Sequence, residues 1–568
     1  MHRILGLVGA ATLALGMVEG SPASSPSATN ATYFNDARIG AADPYVLHDP
    51  RTGYYYAYST DGADAGSYFG IYRSADLVTW EKVPGGALPV DDPNQWGSDW
   101  FWAPEVYANP ATGLYYLFYA ARSDADAERW FGLADFAEPC KIGVAVSRSP
   151  EGPFHNIAAG PIDYNPYDPG YHDIDQLMGP GEAHPPATQA EGDAAPLGVY
   201  IPAIDPDVYF APDGREYLYF SRNAYRHWVW DTDLDKYVEE SSILAVELTS
   251  EWWNDPRGRT MPSIAPRYLG ANAGPGGPAG PRRDGWVPII DYADDKQAWE
   301  NAHVDNPVTA GRESKDVRWE EGSTTFEHRY VGADGRMRTA YYLTYSANSW
   351  ASPSYAVGYA VADDPLGPWR KYAGNPILGP NPDVGMYATG HGSVAFSPDG
   401  TEMYYVHHGR PTTASDARRL YEERMVIQDD MRDAAGHPIV RIDQATGDRP
   451  VPSGVAPYTI EAFPRTINLQ AGQTANLTWS VAGAPGTFLA LGNPLNRVNA
   501  TVTDPEVATV QPNPSGDGGT LLAQSPGRTT VLLSYQRQTS AGGYFDVFNI
   551  ADGLSRPVTV RVDVTVTA

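Results

Sequence analysis

Three acidic residues open three similar phrases that lie far apart in the chain. Asp43 begins "DPYVLHDPRTGYYYAYS", Asp205 begins "DPDVYFAPDGREYLYFSR", and Glu321 begins "EGSTTFEHRYVGADGRMRTAYYLTYSAN". Carboxyl groups delivered to one pocket from such separate places suit acid–base work: one protonates a leaving oxygen while another activates water or attacks directly. A third carboxylate beside the acid raises its pKa by like-charge repulsion. An Asp-Pro pair alone is usually only a turn former. Recurrence at the start of a repeated phrase is what points to chemistry, because three like charges around one axis repel and are costly unless used.

Two more copies complete the set: "APEVYANPATGLYYLFYAA" from Ala103 and "HGSVAFSPDGTEMYYVHHGR" from His391. Each copy has an apolar run, a Gly-containing turn such as "PRTG" or "PDG", and a run of β-formers with period-two alternation, which is the signature of a hairpin. Further strand-like runs follow most copies, among them "FGIYRSADLVTWEKV" and "KIGVAVSRSPEGPFHNI". A period in the tens of residues with three or four antiparallel strands per unit predicts one propeller blade per copy. The predicted fold is therefore all-β, a five-bladed β-propeller, with the first strand of each blade innermost. Its opening residue faces the channel mouth, and that shared position holds Asp43, Ala103, Asp205, Glu321 and His391.

Several choices follow from this frame. Glu105 lies two residues after Ala103, on the same strand face, and reads as a supporting or structural acid. Glu320 and Glu321 are neighbours and must face opposite ways on a strand, and the repeat alignment selects Glu321 for the pocket. His391 reads either as a hydrogen-bonded core histidine or as a ligand to a central ion or water. Aromatic residues crowd the repeat starts in "WGSDWFWAPEV" and "NSWASPSY". Phe101 and Trp102 immediately precede a repeat and are expected to bind substrate, as is Trp350; many other aromatics will fill the blade interfaces.

The 568 residues carry 69 acidic against 40 basic side chains, a formal charge of -29. Such a charge repels phosphate backbones and anionic lipid, so neither nucleic acid nor membrane is an expected partner. Residues 1–20 have basic His2 and Arg3 followed by an apolar run and read as a signal peptide, which predicts a secreted, extracellular protein. No second apolar run approaches the roughly 20 residues that span a bilayer. Cys140 is alone and forms no internal disulfide. Sequons at Asn30, Asn476 and Asn499 fit a glycoprotein.

Two carboxyls across a pocket with an aromatic rim are what glycoside hydrolysis needs. The stretches "ADPYVLHD", "WAPEVY", "AIDPDVYF", "EEGSTTFEH", "GHGSVAFSPDG" and "HHGR" resemble glycoside hydrolase family 43, five-bladed propellers that act on arabinose- and xylose-containing polysaccharides. The resemblance implies Asp43 as general base, Glu321 as general acid and Asp205 as the carboxylate that tunes and orients the acid. It also implies Arg410 pointing toward substrate and His391 at a central ion or water site. Catalysis then needs no cofactor, while a structural calcium or sodium ion near the axis fits the pattern. Inverting single displacement is implied, with the Asp43 and Glu321 carboxyls about 6.5–9.5 Å apart. One departure is Glu-Gly-Ser-Thr where many members have Glu-Gly-Pro.

The family's activities include α-L-arabinofuranosidase, β-xylosidase, arabinanase and exo-galactanase. Insertions at 163–193 and 270–285 can close one end of the channel, which favours an exo-acting arabinofuranosidase on plant cell-wall polysaccharide, with β-xylosidase second. A monomer is expected. The tail from 455 to 568 has short alternating strands with turn signals and reads as an immunoglobulin-like β-sandwich resembling modules appended to secreted hydrolases. Its expected role is packing on the propeller domain, 32–453. Two rival classes remain: a propeller lectin, which would repeat similar residues at the shared position, and a sialidase-type propeller, hinted at by "SADLVTW" but lacking its glycine and its repetition. Neither a His-Glu-x-x-His zinc motif nor a nucleophile elbow is present.

Overall fold

The computed structural model describes residues 39–568 except 78, 132–133, 137, 163–184, 196–201, 223–227, 267–286, 292–294, 306–313, 383–384, 416, 444–451, 453–457, 484–487, 493–495, 539–542 and 552–553. The signal peptide, the sequon at Asn30, most of the first insertion, the whole of the second and the joint between the domains lie outside the described residues.

Each repeat folds into an antiparallel sheet. The first blade runs in the order Tyr45–Asp49, Tyr54–Ser59, Gly70–Ser74, Glu81–Val83, and the second from Asp99–Asn109 through Leu114–Arg122 and Cys140–Ser147 to His155–Asn156. The third comprises Ile204–Phe210, Glu216–Arg222, Lys236–Leu248 and Val287–Ile290, and the fourth Ser314–Val331, Met337–Ala347, Ala356–Ala362 and Arg370–Lys371. The fifth comprises Tyr387–Phe396, Met403–Arg410, Arg419–Arg432 and Pro438–Asp443. The third and fourth blades share one continuous sheet, because the long strand Lys236–Leu248 runs parallel to Ser314–Val331 at Glu239, Glu240 and Ser241.

Closure of the ring lies in the packing. Separate hydrophobic cores occupy the five gaps: Tyr58 and Phe69 with Tyr119 between the first and second blades, Phe118 with Phe220 between the second and third, Tyr219 with Tyr345 between the third and fourth, Tyr342 with Tyr405 between the fourth and fifth. The last gap is filled by Tyr55 and Ala57 of the first blade against Tyr404 and Val406 of the fifth. The protein is thus a five-bladed β-propeller, and its Tyr-rich second strands are what fill the wedges, since a large ring reaches across sheets about 10 Å apart. The chain start is tied to the last blade, with Ala41 N–H donating to Arg418 O at 3.1 Å and Leu420 N–H to Ile39 O at 3.2 Å.

The tail is a β-sandwich. One sheet has the order Thr459–Phe463, Thr474–Ala482, Gly518–Ala523, Ala508–Pro512, and the other Thr466–Gln470, Thr559–Thr567, Gly527–Gln538, Asn496–Val502. The first two strands of the tail thus go to different sheets. Alternating Val560, Val562, Val564 and Val566, with Leu533 of the neighbouring strand, pack with Leu477 and Trp479 of the other sheet in its core.

The sandwich docks on the first blade through a buried polar contact. Asp76, inside the "SADLVTW" turn, accepts hydrogen bonds from Tyr458 Oη and, at 3.3 Å, from Arg537 Nη1. All three side chains are buried. Asp76→Ala is expected to cost about 1.5–3 kcal/mol through lost bonds to a charged group, read as an earlier urea transition of the sandwich; an unchanged transition would show that this contact does not hold the domains together.

Candidate active site

Each inner strand is entered through a residue in the left-handed region, two positions before a pair of its regular ladder. These are Asp43 (φ 50), Ala103 (φ 47), Asp205 (φ 52), Gly322 (φ 60) and His391 (φ 43). The ladder pairs that follow are Tyr45 with Tyr58, Glu105 with Phe118, Asp207 with Tyr219, Thr324 with Thr344 and Ser393 with Val406. Left-handed backbone costs a non-glycine residue about 1–2 kcal/mol, so its recurrence at four such residues marks a site held by its surroundings.

This corrects the alignment of the fourth repeat: Gly322, not Glu321, occupies the shared position, and Glu321 comes one residue earlier, level with Trp102 and Ile204. The register shifts between Glu321 and Thr324 and between Ile204 and Asp207. A bulge of this kind breaks the period of two, so successive residues reach the same pocket. Glycine is required at 322, because a Cβ there would lie 2.7 Å from His391 Cγ.

The pocket is a cavity of about 190 Å³ lined by Asp43, Asp205, Glu321, Glu138, His391 and Arg418, with Trp102, Ile204, Trp319 and Trp350 as its apolar walls. This is below the roughly 300–1,000 Å³ of sites for drug-sized ligands and suits a single sugar unit. Asp43 Oδ1 accepts from Arg418 Nη1 at 2.8 Å and lies 3.3 Å from His391 Nδ1, while its Oδ2 accepts from Thr60 Oγ1 at 2.8 Å. The Asp43 backbone N–H donates to His408 Nδ1 at 3.1 Å, which places the proton of that ring on Nε2. Burial pushes the His408 pKa down to about 3, keeping the ring neutral.

Burial alone would raise the Asp43 pKa, but the Arg418 guanidinium and then His391 overcome it and hold the carboxyl well below its ordinary value. Glu321 is the opposite case. Burial, followed by repulsion from Asp205 and Asp43, lifts its pKa to about 8, against a smaller downward effect of the Tyr355 hydroxyl, which donates to Oε1 at 2.9 Å. Asp205 is raised by burial and by Asp43, and is held in place by Ser221 Oγ at 2.9 Å and the Gly322 N–H at 3.2 Å. The site can therefore present an ionised carboxylate and a protonated carboxylic acid to one bound molecule, which is the arrangement that acid–base catalysis needs.

Of the other residues singled out in the sequence, Trp102 and Trp350 line the pocket. Trp102 stacks on Trp100 at 4.8 Å, and the Arg418 guanidinium lies 5.0 Å over the Trp350 ring. Phe101 does not reach the pocket: it stacks on Tyr68 at 3.6 Å in the core between the first two blades, because it points to the opposite face from Trp102. Arg410 is also outside it, bonding to the carbonyls of Ala351 at 2.7 Å and Thr413 at 2.9 Å and so fastening two loops. The arginine of the pocket is Arg418.

Glu320 turns away to a buried ion pair with Lys371, which also holds Glu300, and Glu105 is buried against Tyr107. His391 faces Asp43 rather than a set of ion ligands. Among the described residues no group of three or more His, Cys, Asp or Glu is arranged to hold a metal ion. Sequence reasoning missed Arg418, Tyr355, His408, Thr60 and Glu138; Arg418 sits in "ASDARRL", after the last repeat phrase, where no period marks it.

The model for glycosyl hydrolases family 43 matches residues 38–176 and 267–432. The chain belongs to glycosyl hydrolase family 43. It is similar to the β-D-galactofuranosidase xynD of Aspergillus niger, 26% identical over 397 residues, covering 68% of this chain and 80% of that protein. It is also similar to the xylosidase/arabinosidase 43A of Humicola insolens, 27% identical over 226 residues, 39% of this chain and 50% of the relative. Among solved structures, a thermostable family-43 glycoside hydrolase is 27% identical and covers 73% of this chain and 96% of its own, with a TM-score of 0.47. The matched segments of this family-43 glycosidase contain Asp43, Glu321, His391 and Arg418, while Asp205 lies in the stretch between them.

Proposed function

We propose that the protein is a secreted α-L-arabinofuranosidase that removes arabinofuranosyl units from plant cell-wall arabinoxylan or arabinan by single displacement with inversion. The opposite displacement of the Asp43 and Glu321 pKa values within one small pocket carries the acid–base part of this reading. Glu321 protonates the leaving oxygen, Asp43 takes a proton from the attacking water, and Asp205 keeps Glu321 protonated and oriented. Arg418 and His391 hold Asp43 ionised, and Trp102 and Trp350 provide faces for the sugar. A cavity of about 190 Å³ supports removal of one terminal unit over binding along a chain.

A second reading, β-D-galactofuranosidase, is favoured by the name of the Aspergillus relative, since β-D-galactofuranose and α-L-arabinofuranose share the configuration of their ring carbons. Incubation with arabinoxylan, arabinan, xylo-oligosaccharides and a β-D-galactofuranoside, followed by chromatography and by NMR of the first-formed anomer, separates them. Free arabinose appearing first as its β anomer is expected. Xylose alone would move the activity to β-xylosidase, galactose to the second reading, and the α anomer of arabinose would overturn inversion.

A further inference from the structure

The acid–base reading leaves one carboxyl of the pocket unused. Glu138 stands on the link between Leu114–Arg122 and Cys140–Ser147 of the second blade, is 1% exposed, and lines the same cavity as Asp43, Asp205 and Glu321. Those three each accept hydrogen bonds from the protein, whereas neither carboxyl oxygen of Glu138 has a partner among the described residues. The charged groups acting on Glu138 are Asp205, Glu239 and Glu321, and together with burial they push its pKa well above the ordinary value. In its protonated form the group offers one O–H donor and acceptor lone pairs. A buried polar group with no partner costs free energy, and a ligand that supplies partners recovers it. A sugar hydroxyl, which donates and accepts at once, is such a ligand.

We propose that Glu138 is a specificity-determining residue of this pocket, its carboxyl group hydrogen-bonding a hydroxyl of the furanosyl unit bound between Asp43 and Glu321. The identity of that unit rests on the arabinofuranosidase reading above; the role of Glu138 rests on its place in the cavity and its unfilled hydrogen bonds. A site built to bond a hydroxyl rejects ligands that leave its polar group unpaired, so this residue sets which sugar is accepted.

The test compares wild type, Glu138→Gln and Glu138→Leu on nitrophenyl α-L-arabinofuranoside, β-D-galactofuranoside and β-D-xylopyranoside, each variant also being melted thermally. On the glycoside that wild type cleaves fastest, Glu138→Leu should lose about 10²-fold in kcat/KM, and Glu138→Gln, which keeps a donor and an acceptor, at least tenfold less than that. The Leu variant should melt no earlier than wild type, because it replaces an unpaired buried acid with an apolar side chain. Leu and Gln variants falling equally, with a common downward move of the alkaline limb of the pH profile, would mean that Glu138 acts only through its charge on Glu321 and would overturn the proposal. So would a Leu variant within about threefold of wild type, or one that melts earlier while the Gln variant does not. Fastest cleavage of the xylopyranoside overturns the furanosidase reading while the Leu-to-Gln ratio still decides the role of Glu138, and no cleavage of any of the three overturns both.

Discussion

Glu321→Gln is expected to lower kcat/KM on polysaccharide-linked sugars by about 10²–10⁴-fold while the protein still folds. Burial and the carboxylates of Asp205 and Asp43 raise the Glu321 pKa to about 8, so at neutral pH the group holds the proton that the leaving oxygen must receive. Glutamine keeps the shape and the contact with Tyr355 but has no such proton to give. The loss should depend on the leaving group: large for a sugar alcohol, small for a nitrophenolate, which departs without protonation. The sign of the pH dependence follows from the same role. Activity of the wild type falls as pH rises through about 8 and the acid ionises, and the variant loses that limb. Asp205→Asn, which removes the first-ranking charge repulsion on Glu321, should move the limb to lower pH. Equal losses on both kinds of leaving group would remove Glu321 from the role of proton donor.

Asp43→Asn should produce a loss of similar size, about 10²–10⁴-fold, with a different signature. A base acts on the attacking water, so the loss is shared by good and poor leaving groups alike. Arg418 and His391 hold the Asp43 pKa well below its ordinary value, so the wild type keeps its base ionised until the solution is strongly acidic. Activity on the acid side is then lost only as pH falls through that depressed pKa, or where the protein itself unfolds. Asparagine retains the partnership with Thr60, found at 2.8 Å, but withdraws the negative charge that Arg418 meets at 2.8 Å. The substitution should therefore also cost about 1.5–3 kcal/mol of stability, measurable by urea unfolding. A folded Asp43→Asn protein with kcat within tenfold of wild type would show that another group activates the water.

Much of this protein was legible in its sequence, for a physical reason. Strand alternation and turn chemistry are local, so five written copies of a hairpin phrase predicted five blades, and the alternating tail predicted a sandwich. The period also placed Asp43, Asp205 and His391 at one position, where the structure finds them together. It placed Glu321 one residue out, because a bulge is an irregularity of pairing that no alternation pattern records; the mark it left was Gly322, the residue able to take a left-handed turn without a Cβ against His391. Phe101 and Arg410 were misplaced because proximity along the chain does not say which face of a strand a ring occupies, or whether a guanidinium meets a ligand or the carbonyls of its own loops. Arg418, Tyr355 and Glu138 carry no repeat signal. What the sequence determined by itself was the repeating blade and the family of chemistry it supports, since both follow from local pattern. Which carboxyl is ionised, which holds a proton and which waits unpaired was decided only by tertiary structure, because burial and charges brought in from other blades set those states.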